Sequence, residues 1–430
     1  MRLGNITGKL FAVALIGGAC FVASLFILGL INERQGRFDE AKQEIANSWS
    51  KRQTLVGPML IVRNSDADVY VLPAVLHYET MLVPEVRTRG IFRSVVYGSL
   101  IKVSGEFLAE DIRQATTGRR DAVLSVVITD TRGIEKQVEL IWNDSKYAFE
   151  PGPGVTFPEP QLQNASGLHA FVPVNPTPDT SSKQRVPFYF EIELKGSEGV
   201  LIAPLGKETV FDISSSWPTP KFVGAFLPSQ RSITSSGFTS EWRISSFGRP
   251  YPQVWQQGSV DLTQLLDSSA GVELHEQVDA YDLVSRSITY AILFIVITFA
   301  AFFLFDVLTK ARVHPIQYLL IGSGLSLFYL LLLSLSEHIS FFLAYIVATG
   351  MIAVLISAYS AFVLSSVRRA LPIFALLFLL YGYLYFVLQL EDYALLFGAL
   401  LLFVFLAVIM FATRHVDWFT LDKPKDEMSA

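Results

Sequence analysis

This chain of 430 residues has a single cysteine and little charge, with 17% of its residues Asp, Glu, Lys or Arg against about a quarter in an average soluble domain. One thiol, Cys20, cannot close an intrachain disulfide, so any exported part folds without one. No Lys/Arg-rich tract is present and the net charge is −5, which excludes nucleic-acid binding by basic charge. There is no HExxH motif and no cysteine-based metal site. The shortage of charge is localised. Six apolar stretches, at 10–31, 288–308, 316–336, 341–364, 371–388 and 394–413, carry one charged side chain between them, Asp306.

A bilayer core of about 30 Å takes roughly 20 apolar residues as a helix, and each stretch is near that length. Five of them crowded between 288 and 413 leave too little polar surface to cover them in a soluble core. The expectation is six transmembrane helices. Lys and Arg fall in alternate loops: Arg2 and Lys9, Lys310 and Arg312, Arg368 and Arg369, then Arg414, Lys423 and Lys425. The loops at 337–340 and 389–393 have none, which puts both termini in the cytoplasm by the positive-inside rule. The expected division is a cytoplasmic N-terminus at 1–9, a signal anchor at 10–31, an exported domain at 32–287, helices two to six within 288–413, and a cytoplasmic tail at 414–430. The anchor is read as uncleaved, being longer than a usual signal-peptide core and without an A-x-A pattern near its end. Gly17-Gly18-Ala19-Cys20 also lacks the leucine that a lipoprotein site carries three residues before its cysteine.

Residues 32–53 are polar, with Phe38, Ala41, Ile45 and Trp49 at spacings of three and four. This continues the first membrane helix outward as an amphipathic one. From residue 55, β-rich runs follow at 55–62, 69–78, 94–103, 122–129, 136–142, 188–194, 200–203, 208–213 and 238–244, the first broken by Gly57-Pro58. Several alternate apolar with polar residues, between turn signals such as Thr131-Arg132-Gly133. The expected fold class is a six-helix membrane component plus a mainly β extracytoplasmic domain, a sandwich or two apposed sheets. Segments 150–160 and 173–187, rich in Pro, Gly, Ser and Thr, are either loops of one sandwich or a boundary between two lobes.

No residue set composes a catalytic site. His77, His169 and His275 lie far apart and read as surface or satisfied histidines. Gly322-Ser323-Gly324 suggests an intramembrane serine nucleophile, but no span contains a histidine to act as its base. Gly322, Gly324 and Ser326 read instead as small residues that let helices approach closely. Asp306 lies near the cytoplasmic end of its span, four residues before Lys310, which suits an interfacial pair. The tyrosines of Tyr381-Gly382-Tyr383-Leu384-Tyr385 read as an interfacial belt. Glu337-His338, at the outer end of the third span, can pair with basic groups such as Arg286, and protonation of His338 would change the local charge, with simple loop solvation as the competing and preferred reading. Glu337, His338 and Asp306 are therefore candidates for coupling domain to membrane. Trp217, Trp242 and Trp255, with Pro218, are candidate partner contacts, the core being the competing destination for such aromatics. No cofactor is implied.

Residues 288–348 (ITYAILFIVITFAAFFLFDVLTKARVHPIQYLLIGSGLSLFYLLLLSLSEHISFFLAYIVA) are familiar as a block. With Leu55-Val56-Gly57-Pro58, the stretch 217–253 (WPTPKFVGAFLPSQRSITSSGFTSEWRISSFGRPYPQ) and Thr413-Arg414-His415-Val416-Asp417-Trp418, they resemble the CreD family of inner membrane proteins. That family is also described as colicin-tolerance and cell-envelope-integrity proteins. The resemblance runs nearly the whole chain, is specific in spans two and three and in 217–253, and is loose between about residues 90 and 210. It departs where Asp306 stands in place of the family's Glu, which keeps the charge. It implies a Gram-negative inner membrane protein under a carbon-source-responsive two-component regulator, associated with envelope stress and β-lactam response. It supplies no catalytic residue.

The expectation is a non-enzymatic envelope protein whose periplasmic β domain, held by helices at both ends, binds an envelope protein, peptidoglycan or lipid. Membrane lipids are partners of the helices, and nucleic acid is not a partner. The rival is a transporter or flippase for an amphipathic molecule, with Ser323, Ser326, Ser334 and Ser336 lining a cavity. A hydrolase comes third and needs a cleft in the exported domain.

Overall fold

The computed structural model describes residues 6–64, 67–116, 121–155, 165–174, 185–261, 263–274, 280–309, 314–364, 366–390 and 393–414. The chain divides into two compact units, one of Met1–Phe38 with Val278–Ala430 and the other of Asp39–Gln277. One helix, α1 (Ile6–Trp49), is 44 residues long and contributes to both.

The second unit is the β domain. In chain order its elements are β1 (Gln53–Val62), β2 (Val69–Val71), β3 (Val75–Arg89), β4 (Phe92–Leu108), α2 (Ala109–Ala115), β5 (Asp121–Ile128), β6 (Glu139–Trp142), β7 (Ser145–Ala148), β8 (Glu150–Pro151), β9 (Gly167–Pro173), β10 (Arg185–Ser197), β11 (Gly199–Ile202), β12 (Glu208–Ser215), β13 (Pro220–Gly224), β14 (Gln230–Thr234), β15 (Gly237–Ser245), β16 (Val254–Gln256), α3 (Thr263–Asp267) and β17 (Ala270–Leu274). One sheet runs β13-β17-β11-β1-β5-β9-β8, with β2 added to β1 and β16 to β2. The other runs β14-β15-β12-β3-β4-β10-β6-β7. Each is mixed through one parallel pairing, β1 with β11 and β12 with β3.

Alternation explains the layering. Along β3, Leu76, Tyr78, Thr80 and Leu82 are buried while His77, Glu79, Met81 and Val83 are exposed, as a strand with one face on a core requires. The inner faces of both sheets join in a single core, which takes Leu60, Leu124 and Val272 from the first and Tyr78, Val103 and Phe190 from the second. The domain is therefore one sandwich, and 150–155 lies within it; 156–164 and 175–184 are outside the described residues. The Gly57-Pro58 step, expected to break the first strand, does not end it. The register of β1 on β5 shifts between Val56 and Met59, and this bulge accommodates a proline that has no N–H for the ladder. Gly57 sits at φ +151°, where a Cβ would stand 2.8 Å from the Cα of Val126.

The first unit holds the apolar helices. After α1 come α4 (Ala280–Thr289), α5 (Ala291–Thr309), α6 (Pro315–Ser336), α7 (Phe341–Val363), α8 (Val367–Leu388) and α9 (Ala394–Thr413). Among the described residues, five helices are long and apolar enough to cross a membrane, and α4 with α5 is a sixth if the bent pair is one span. These two meet at 45°, and α4 begins eight residues before the span expected at 288–308. The hydroxyls of Ser287 and Thr289 donate to the carbonyls of Val284 and Ser285, a back-bonding that bends helices.

Small residues set the approach of α6 to α1. A Cβ on Gly322 would stand 2.4 Å from Cys20 Sγ and 2.8 Å from the Phe299 ring. One turn on, Ser326 donates to the Cys20 carbonyl at 3.4 Å, which also accepts from Ser24 at 3.0 Å. Gly322 and Ser326 thus have the packing role expected of them. Tyr381 does not lie in an interfacial belt. It is buried, its ring 4.4 Å from that of Phe328, and its carbonyl accepts from the Tyr345 hydroxyl at 2.6 Å. Tyr383 ties α8 to α9 by donating to the Phe397 carbonyl at 2.6 Å.

Candidate functional site

Three places carry more specific chemistry than packing requires. The first surrounds Glu337, at the end of α6. Its side chain is nearly buried, accepts a hydrogen bond from the Tyr281 hydroxyl at 3.0 Å, and lies 3.7 Å from Arg34 Nε. On the same stretch of α1, Gln35 donates to Asp282 at 3.2 Å and the Phe38 ring lies 5.9 Å from that of Tyr281. Glu337 therefore joins α6 to α1 and α4. Arg286, the basic group first expected beside it, donates to the Leu390 carbonyl at 3.4 Å. His338 is exposed. Asp306 is helical in α5, but its side chain and Lys310 lie outside the described residues.

The second place corrects the expected partner aromatics. Trp242 and Trp255 belong to the core and offer no contact surface. Trp242 stacks on Phe211 at 4.8 Å and donates to the Phe226 carbonyl at 3.1 Å; Trp255 stacks on Tyr70 at 5.4 Å. The cause is strand alternation, since Phe238, Ser240, Trp242 and Ile244 share the buried face of β15. Trp217 is half-buried against the same core, and Pro218 is exposed. What 217–253 presents most fully is Leu227, 72% exposed, and Phe247, 100% exposed, with Ile233 half exposed on β14.

The loops bearing these two residues are neighbours, for a Cβ on Gly248 would lie 3.4 Å from the Phe226 ring. The turn after Phe247 is braced from beneath. Buried Arg249 donates to the carbonyls of Tyr251 at 2.9 Å and Pro252 at 3.1 Å and to Gln253 Oε1. Gln253 in turn donates to the carbonyls of Leu72 and Pro73. Burial holds the Arg249 guanidinium below its ordinary pKa. The sequence signal for this tip is Ser246-Phe247-Gly248-Arg249-Pro250, an aromatic set among turn residues and outside any alternating run.

The third place is the foot of α1, where Ala41 and Ile45 are buried on the apolar face. The Trp49 ring lies 4.6 Å from both the Arg87 guanidinium and the Lys195 ammonium, and its N–H donates to the Tyr97 carbonyl at 3.2 Å. Gln53, fully buried, donates to Ser50 Oγ at 2.8 Å and to the carbonyls of Asp130 at 3.0 Å and Lys195 at 2.9 Å. Asp130 accepts from Arg132 at 2.6 and 2.9 Å and from the Lys51 N–H at 3.3 Å. Arg132, the strongest of these donors, holds the Asp130 carboxyl down at about 2 against partial desolvation. Arg132 also donates to the Asn47 carbonyl at 3.2 Å, which closes the clamp onto the helix. The foot and the tip sit at opposite ends of the second sheet. Trp49 packs at the Arg87 end of β3, whereas Ser245, just before the Phe247 turn, aligns through Glu208 with Val75.

Most of the remaining candidates are engaged in structure. Ser323 and Ser336 donate to carbonyls of their own helix, those of Leu319 and Leu333, while Ser326 bonds to α1 and Ser334 is exposed. His77 meets Asp212 at 2.9 Å and His169 Nδ1 meets the Gly152 carbonyl at 2.9 Å, while His275 is outside the described residues. Among the described residues, no three of His, Cys, Asp or Glu are grouped to hold a metal ion.

Comparison with known proteins returns one consistent relationship. The family model described as "Inner membrane protein CreD" matches residues 5–419. Over 427 residues the chain is 32% identical to "Inner membrane protein CreD" of Escherichia coli (strain K12), an alignment covering 94% of this chain and 92% of that protein.

Proposed function

The chain belongs to the CreD family of inner membrane proteins, and from that premise we propose that it is a non-enzymatic component of cell-envelope integrity whose β domain docks an envelope protein. The domain faces the periplasm and both termini face the cytoplasm, a reading supported by the confinement of Lys and Arg to alternate loops. The docking tip is Leu227 with Phe247. The observation that carries this reading is that Phe247 is wholly exposed on a turn braced by buried Arg249, in a loop neighbouring the one that bears exposed Leu227. Leaving such a side chain in water forgoes about 1.5–3 kcal/mol of burial, which becomes available to a partner. A rigid aromatic also loses little entropy on contact. Met81 and Val83, exposed on the outer face of β3, are flanked by Glu79 and Glu85 on a flat strand face and form no comparable apolar tip.

The test is complementation of a strain lacking the protein, scored by survival under envelope stress. Phe247→Asp with Leu227→Asp is expected to fail at normal protein level, and Val83→Asp to succeed. Full rescue by the tip variant overturns the reading. Orientation is tested separately. Cys20 is the only cysteine and is buried, so Ser236→Cys in spheroplasts should react with a membrane-impermeant maleimide, and Arg414→Cys should not.

A further inference from the structure

We propose that the membrane unit holds an anionic phospholipid in a groove between α7 and α8. At one end these helices meet through large rings, with Phe342 and Tyr345 at 5.7 and 5.2 Å from Tyr385. Towards the connecting turn the lining includes Ala358, Ala361 and Ala370, and the space beside these small residues is an apolar groove of about 800 Å³. That volume falls within the roughly 300–1,000 Å³ typical of small-molecule sites. Val354, Leu371 and Phe374 also line it, which suits an acyl chain.

The mouth of the groove selects the headgroup. Ser366 stands at the N-cap of α8 without a side-chain capping bond, and the first turn contains no acidic residue. Instead the sequence places Arg368 and Arg369 there, and Arg368 is exposed with no acidic partner among the described residues. Cations are misplaced at a helix N-terminus, which carries partial positive charge from its free N–H groups. A phosphodiester at that point offsets both the arginine and the dipole. Deeper in the groove, Ser357 has a buried hydroxyl without a hydrogen-bond partner, which a lipid ester carbonyl satisfies. Arg368 thus adjoins Val367 at the end of the groove nearest the turn, while the Ser357 hydroxyl lies further in among apolar side chains. The inference concerns the membrane unit alone and is independent of the docking tip.

The test uses the full chain in nanodiscs made of equal parts phosphatidylglycerol and phosphatidylethanolamine, with retained lipid counted by native mass spectrometry. Wild-type protein should retain phosphatidylglycerol preferentially, and inorganic phosphate should not displace it. Arg368→Ala should lower the ratio of the two lipids about fivefold, the effect of one basic residue near an anionic headgroup, and Arg368→Lys should keep most of it. Ala361→Leu, which fills the groove, should release both lipids. A phosphatidylglycerol bearing a diazirine on its chain should label Leu371 or Phe374 of the wild-type protein, a readout that needs no variant to fold. Equal retention of the two lipids, an unchanged ratio in Arg368→Ala, displacement by phosphate, or labelling confined to other helices would overturn the proposal.

Discussion

The indole N–H of Trp49 donates to the carbonyl oxygen of Tyr97 at 3.2 Å, and through this bond the last turn of α1 becomes part of the β sandwich. Two cations flank the same ring at 4.6 Å. Each cation–π contact at a part-exposed site contributes about 0.5–1 kcal/mol, and the hydrogen bond about 1 kcal/mol. Trp49→Ala should therefore cost the β domain about 2–3 kcal/mol, and Trp49→Phe about 1 kcal/mol. Limited proteolysis of the full chain across a temperature series measures both.

Asp130 makes the same junction sensitive to acid. Its carboxyl titrates at about 2 when folded, against an ordinary value of 3.8. The folded state therefore binds this proton less readily than the unfolded state. The stabilisation is complete above the unfolded value and is lost as pH falls through the folded one. It amounts to about 2 kcal/mol. Asp130→Asn should lose it at neutral pH and show a flatter stability profile between pH ~5 and ~2, measured by urea unfolding of the full chain in detergent.

The crossing of α1 and α6 gives a steric prediction. Gly322→Ala places a methyl 2.4 Å from Cys20 Sγ, and overpacking of this kind costs about 1–3 kcal/mol. Adding Cys20→Ala removes the sulfur and should restore part of the loss, while the Phe299 ring at 2.8 Å keeps the rescue incomplete. Thermal unfolding in detergent resolves the three proteins.

For Glu337 the prediction concerns coupling. Arg34 is 38% exposed at its side chain, so solvent screens the pair and its coupling energy should not exceed about 1 kcal/mol. Tyr281→Phe removes a donor from a nearly buried carboxylate and should cost about 1–2 kcal/mol. A double-mutant cycle of Arg34→Ala with Glu337→Gln measures the first. If the cycle gives zero while Tyr281→Phe is costly, the hydroxyl rather than the ion pair holds the three helices together.

How much of this was legible in the sequence depends on the range of the cause. The spans follow from local hydropathy, and the fate of Trp242 was readable from the alternation of Phe238, Ser240, Trp242 and Ile244. The kink before α5 was not, because the break falls at Tyr290, inside a stretch of 288–308 that has no Pro or Gly to mark it. β14 was missed because Gln230–Thr234 is exposed throughout and exists as a strand only through its pairing with β15. The partner of Glu337 was misjudged for a related reason. Arg286 is near in sequence to the domain's end, whereas Arg34 reaches Glu337 only because α1 packs beside α6. Phe247 has no periodic context, and its place among the turn residues Ser246, Gly248 and Pro250 is the signal of its exposure that the sequence offers.

The strand order also governs when the domain can exist during biosynthesis. β1, which leads the sandwich, lies between β5 and β11, and β11 in turn waits for β17, the last strand of the domain. Strands made early must remain with unpaired edges until nearly the whole domain has emerged, a period in which exposed edges invite aggregation. Such non-local pairing is also slow to form. Leu274 ends the strand that completes the first sheet, and Ala280 begins the helix that leads into the remaining spans. Closure of the sandwich and return of the chain to the bilayer are therefore consecutive steps, separated by five residues.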